Sequence, residues 1–86
     1  MNETKNLLHT FLRERIHDYR INQKFSIETM AEALQISPRS YIDQEHGKYG
    51  FSALSMAYFM ILLSDEEVLK FSKELRVLLG RKEDAA

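Results

Sequence analysis

The chain has no cysteine among its 86 residues. Disulfide staples and thiolate metal sites are therefore excluded. It has no tryptophan, one proline and three glycines. The residues that break helices or serve tight turns are thus scarce, which argues for helices. No sign of charge dominates: 12 Lys and Arg stand against 13 Asp and Glu, a formal net charge of −1. That is not the strongly basic profile of many nucleic-acid binders, although a basic patch on a neutral surface is compatible with it. No apolar run reaches the roughly 18 residues of a membrane span; the longest is "MAYFMILL", residues 56–63. The start, "MNETKNLL", lacks the basic-then-apolar order of a secretory leader. The expectation is a soluble, cytoplasmic protein that does not enter membranes.

Signs of chemistry are also missing. There is no HExxH, no glycine-rich phosphate loop and no thiol nucleophile. His9 and His17 lie eight residues apart on one helix face, too far to share a metal, and His46 is remote in sequence. Carboxylates are scattered beside basic residues, as on any solvated helix. No catalytic residue, metal or cofactor is expected, and the protein is not expected to be an enzyme.

What is present is a series of helices with punctuation. The 44% hydrophobic and 29% charged composition is that of one small globular domain. It is expected over residues 1–80, with a frayed tail at 81–86. Leu8, Phe11, Leu12, Ile16 and Tyr19 recur at spacings of three and four, predicting a first helix over about 4–23. Ser26 is a good N-cap for a second helix ending near Leu34, with Phe25 and Met30 at the two staple positions and Ile27, Met30, Ala31 and Leu34 on its inner face. "ISPRSYIDQEHGK", residues 36–48, carries a start and a stop for a third: Ser37 to cap, Pro38 at the first helical position, Gly47 to end it. About nine residues are too few for a helix that stands alone, so this one either packs something or is held out to touch something. Ser52 begins a fourth helix over about 53–63. Ser64, followed by three acids, begins a fifth that runs to about Leu79, with Gly80 ending it.

Two short helices joined by a three-residue turn have the spacing of a helix-turn-helix. "SIETMAEALQISPRSYIDQEHGK" resembles that motif in the lambda-repressor-like, or Xre/Cro-type, DNA-binding domains. The matching positions are Met30, Ala31, Leu34, Ile36, Ser37, Tyr41, Glu45 and Gly47. "RIHDYR" resembles the family's first helix and "FSALSMAYFMILL" its fourth, so the likeness covers about residues 12–63. It implies an all-α, five-helix lambda-repressor-like fold with the helix-turn-helix at helices 2 and 3. It further implies a sequence-specific transcriptional regulator, a repressor in most such cases, that puts helix 3 into the major groove of double-stranded DNA.

Residue by residue, the resemblance pairs Glu45 with Arg20, pinning helix 3 to helix 1; Arg20 is also placed to touch phosphate. The outward face of helix 3 is Pro38, Arg39, Ile42 and Asp43, with Ser37 and Ser40 beside them. Arg39 is the candidate base reader, because its fork matches guanine O6 and N7. Two roles are open to Asp43: accepting from a cytosine amino group, or pairing with Arg39 four residues back. Ile42 either meets a thymine methyl or covers a neighbour. Ser37, His46, Lys48 and Tyr49 are the candidate phosphate contacts. Four positions depart from the family's pattern. Ile27 replaces a phosphate-gripping glutamine. Gln35 stands at the glycine of the turn, where a left-handed backbone would cost on the order of 1 kcal/mol. Tyr41 needs a partner for its hydroxyl, and Gln44 is polar where an apolar residue is usual.

Helix 4 is apolar nearly all round, and helix 5 adds a second apolar stripe. One reading makes them a homodimer interface through Met56, Phe59, Met60, Leu63, Phe71, Leu75 and Leu78; in the other, helix 5 simply closes the core. A twofold dimer would set two reading helices roughly 34 Å apart and require a near-palindromic operator. The neutral charge keeps open an alternative of another class. The same fold could be a protein-interaction module, of the antitoxin or anti-repressor kind, with a protein partner and little affinity for DNA.

Overall fold

The computed structural model describes residues 3–80. The tail expected at 81–86 lies outside the described residues. Five α-helices follow one another: α1, Glu3–Gln23; α2, Ile27–Ala33; α3, Pro38–Glu45; α4, Ala53–Leu62; and α5, Asp65–Leu75. There is no strand among the described residues. The chain leaves α5 without a break into one wider, π-helical turn, Arg76–Gly80, in place of the last α-helical turn expected there.

The helix starts follow from four serines. Ser26, Ser37, Ser52 and Ser64 each accept a hydrogen bond from the backbone amide three residues on, satisfying one of the donors a helix leaves open. At α5 the Glu67 side chain also accepts from the Ser64 amide at 2.8 Å, closing a capping box.

The helix ends follow from a recurring turn. Phe25 N–H donates to Arg20 O while Lys24 N–H donates to Ile21 O. Ile36 and Gln35 repeat the pattern on Ala31 and Glu32, and Lys48 and Gly47 repeat it on Asp43 and Gln44. Each is the paired closure of a Schellman turn, which needs a left-handed residue. Glycine fills that position only at Gly47, φ +87°; Lys24 (φ +60°) and Gln35 (φ +63°) hold it at the steric cost of a Cβ. Gln35→Gly is therefore expected to raise the unfolding free energy by about 0.5–1 kcal/mol, the relief of the left-handed side chain offset in part by glycine's unfolded-state entropy. Urea denaturation checks it, and no gain would show that the turn is unstrained.

The core is Leu12, Ile16, Met30, Ala31, Leu34, Tyr41, Phe51, Phe59 and Phe71. Phe11, Phe71, Phe59, Tyr19 and Phe25 form a chain of ring contacts with centroids 5.3–6.1 Å apart, tying α1 to α4 and α5. This takes Phe59 and Phe71 out of the interface expected on the last two helices. Phe59 and Phe71 are buried inside the chain's own core, and Met56, Met60, Leu63 and Leu75 are half-buried against it; Leu78, on the π-helical turn, is half-buried too. The apolar surface that α4 leaves open is instead Leu54, Ala57 and Ile61.

Candidate nucleic-acid interface

At eight residues α3 is too short to persist alone. Its C-terminal half is fixed by a hydrogen-bond hub. The Glu45 carboxylate, 7% exposed, accepts from Tyr41 Oη at 2.7 Å, from Arg20 Nε at 2.9 Å and from Arg20 Nη2 at 3.3 Å. His17 Nδ1 lies 3.1 Å from the same carboxylate. Arg20 also donates through Nη1 to Phe25 O at 3.2 Å, binding the α1–α2 turn into the hub. The charged forms are held accordingly. Burial pushes the Glu45 carboxyl up, but the hydrogen bonds from Arg20, Tyr41 and His17 outweigh it and leave it below its ordinary value. The hydrogen bond to Glu45 raises the Arg20 guanidinium despite burial. Burial, then the Glu45 hydrogen bond, raises the Tyr41 phenol.

The hydroxyl that Tyr41 brings into the core thus has its partner, four residues on along the same helix. Gln44 does not fare as well. Its Oε1 is buried with no hydrogen-bond partner among the described residues, an omission that costs on the order of 1–3 kcal/mol.

The other face of α3 looks outward. Ser37 and Pro38 are exposed at its start, and Ser40 and Ile42 are half-buried. The Arg39 side chain is 82% exposed, with Nε 3.7 Å from Asp43 Oδ2. An ion pair of that length and exposure is weak, so Arg39 remains available. His46, Lys48 and Tyr49 are all exposed in the loop after α3, with the Lys48 ammonium 5.5 Å over the Tyr49 ring. Arg20 stands apart from this set: its side chain is only 16% exposed, and a phosphate contact would have to share the donors already turned to Glu45 and Phe25.

Three residues escaped the sequence reading. His17 joins the hub from the same α1 face as Arg20, three residues earlier. Arg13 packs on Gly47, and the His9 ring packs on Gly50. Their spacing along α1 was the available signal, but nothing local tells which loop that face meets. A cavity of about 290 Å³ between α1, α4 and α5 includes no α3 residue, and Arg15 at its edge is already paired with Asp18 and Glu74. No helix among the described residues is long and apolar enough to cross a membrane.

No family model, curated protein or solved structure matches the chain.

Proposed function

We propose that α2, the turn at Gln35 and α3 form a DNA-binding helix-turn-helix of the lambda-repressor-like kind, and that the protein is a sequence-specific transcriptional regulator, acting as a repressor by occupying an operator. The observation that carries this reading is the treatment of α3. A helix too short to stand alone is capped at its start, closed at its end and anchored from its inner side through Tyr41 and Glu45. Its outer side holds no core contact for Arg39, which is left free to meet a base edge. The neutral net charge implies weak non-specific affinity, so specificity must come from a few contacts doubled by symmetry.

The second copy would dock on α4. No charged residue occurs over 53–63, and the exposed line Leu54, Ala57, Ile61 has its small residue near the middle. In an antiparallel twofold pairing Ala57 lies at the axis, and Leu54 of one copy meets Ile61 of the other. The same uncharged face favours a second reading, in which α4 takes an unlike protein and DNA binding is absent.

Selection from a random-sequence duplex library at low salt tests the proposal, with Arg39→Ala run beside the unaltered protein. The expected result is an enriched near-palindrome whose preference Arg39→Ala relaxes, by about tenfold or more at the base pair Arg39 reads. No enrichment by a folded, dimeric protein would overturn it in favour of the second reading.

A further inference from the structure

α1, α4 and α5 do not close on one another completely. The cavity between them, about 290 Å³, is about twice the volume of an engineered cavity that takes up benzene, and lies near the lower end of the roughly 300–1,000 Å³ of ligand pockets. The rings of Phe59 and Phe71, 2% and 4% exposed, line its inner part with Tyr19 and Leu63. Glu67 and Lys70 are exposed at its mouth, and the Asp18 side chain is 58% exposed. The site is thus an apolar recess open to water, with its charges at the rim.

That rim carries more acid than base. Asp18, Glu67 and Glu74 stand against Arg15 and Lys70. Arg15 is shared between two of the acids, with Nη2 3.3 Å from Asp18 Oδ2 and Nη1 3.7 Å from Glu74 Oε1. Lys70 comes three residues after Glu67 and four before Glu74, so a carboxylate flanks it on either side along α5. Neither cation is left to hold an anion alone. The acids have capacity to spare: Asp18 Oδ1 and Glu67 Oε2 accept no hydrogen bond among the described residues.

Two further features favour positive charge in the recess. Tyr19 Oη donates to Leu62 O at 3.4 Å, which places the C-terminus of α4, the negative end of its dipole, beside the cavity. The Tyr19 phenol is raised by burial first and then by Glu67, so the Glu67 charge reaches a ring of the lining. Three of the four inner residues are aromatic, a lining that attracts a cation with an apolar body.

We infer that this recess binds a small organic ammonium ion, with its apolar body against Phe59, Phe71 and Leu63 and its charge toward the carboxylates of Asp18 and Glu67. The site is independent of α3 and stands whether or not the protein reads DNA.

Amide NMR titrations of the full chain at pH 7 test it, with benzylammonium and hexylammonium as probes and benzyl alcohol and benzoate as neutral and anionic controls. The ammonium ions are expected to bind with Kd on the order of 1 mM and to shift the amides of Asp18, Tyr19, Glu67 and Phe71 saturably. Benzyl alcohol is expected to bind about fivefold more weakly, and benzoate not to saturate. Two variants at exposed positions give opposite signs: Asp18→Asn is expected to weaken both ammonium ions by about three- to fivefold, and Lys70→Gln to tighten them by a similar factor. Their amide spectra away from the recess report that both are folded. Equal affinity for benzyl alcohol, or tighter binding of benzoate, would overturn the ammonium assignment. No saturable shift with either ammonium ion, or shifts centred on acids elsewhere such as Glu28 and Glu32 of α2, would overturn the site.

Discussion

Glu45→Ala is expected to lower the unfolding free energy by about 3 kcal/mol, a fall in Tm on the order of 15 °C for a domain of this size. The carboxylate is where α1 and α3 meet. Removing it leaves the Arg20 guanidinium, 16% exposed, without its charged partner, and leaves the Tyr41 hydroxyl inside the core without an acceptor. Both losses are desolvation costs that no water readily repairs. The pH dependence follows from the direction of the shift. Glu45 is held below its ordinary value of 4.5, so its contribution is present above that value and is lost as the pH falls through it. Tyr41 is raised above its ordinary 10.0, so its contribution is present below that value and is lost as the pH rises beyond it. Thermal melts between pH 7 and 3 should show the parent losing stability at the acid end, and Glu45→Gln showing a flatter limb. Equal melting temperatures for parent and Glu45→Ala at pH 7 would show that the hub contributes nothing.

Phe59→Ala and Ile61→Glu, two residues apart on α4, are expected to fail in opposite ways. Phe59 is 2% exposed and packs edge-on against Tyr19 and Phe71 at 5.7 and 6.0 Å. Truncating it leaves a cavity where three helices meet, at a cost of about 3–5 kcal/mol. That rivals the whole stability of a small domain, so urea melts should show a largely unfolded variant. Ile61 is 74% exposed. A carboxylate there changes the isolated chain by no more than about 0.5 kcal/mol but, in the proposed pairing, buries a charge against Leu54 of the other copy twice over. Sedimentation equilibrium is expected to show a dimeric parent and a folded, monomeric Ile61→Glu. A variant that stays dimeric, or a monomeric parent, would move the interface off α4.

What the sequence made legible was local. The serine caps and the stop at Gly47 involve residues three to five apart, and their chemistry acts over that distance. The left-handed turn at Gln35 and the pairing of Arg20 with Glu45 came from the family resemblance. The contacts between the loop and α1 were not legible, because Gly50 meets His9 across 41 positions and neither residue type demands the other. The inward face of α4 was not legible for a different reason. Helical phase is read from contrast between polar and apolar positions, and 53–63 offers almost none. Its one signal points the wrong way: Ser55 is buried on the same line as Phe59, with its hydroxyl accepting from Ser52 Oγ at 3.3 Å, while Ile61 faces solvent.

The hub at Glu45 has a last consequence, for timing. Because Tyr41 and Glu45 lie in the core's own hydrogen-bond hub, α3 cannot loosen without opening the contact between α1 and α3. Loosening α3 therefore breaks that contact as well as the helix's own hydrogen bonds. The helix that holds out Arg39 is therefore preorganised. If α3 reads DNA as proposed, binding would lose little affinity to ordering backbone, and occupancy would be set by concentration or by a partner protein rather than by a helix that folds on demand.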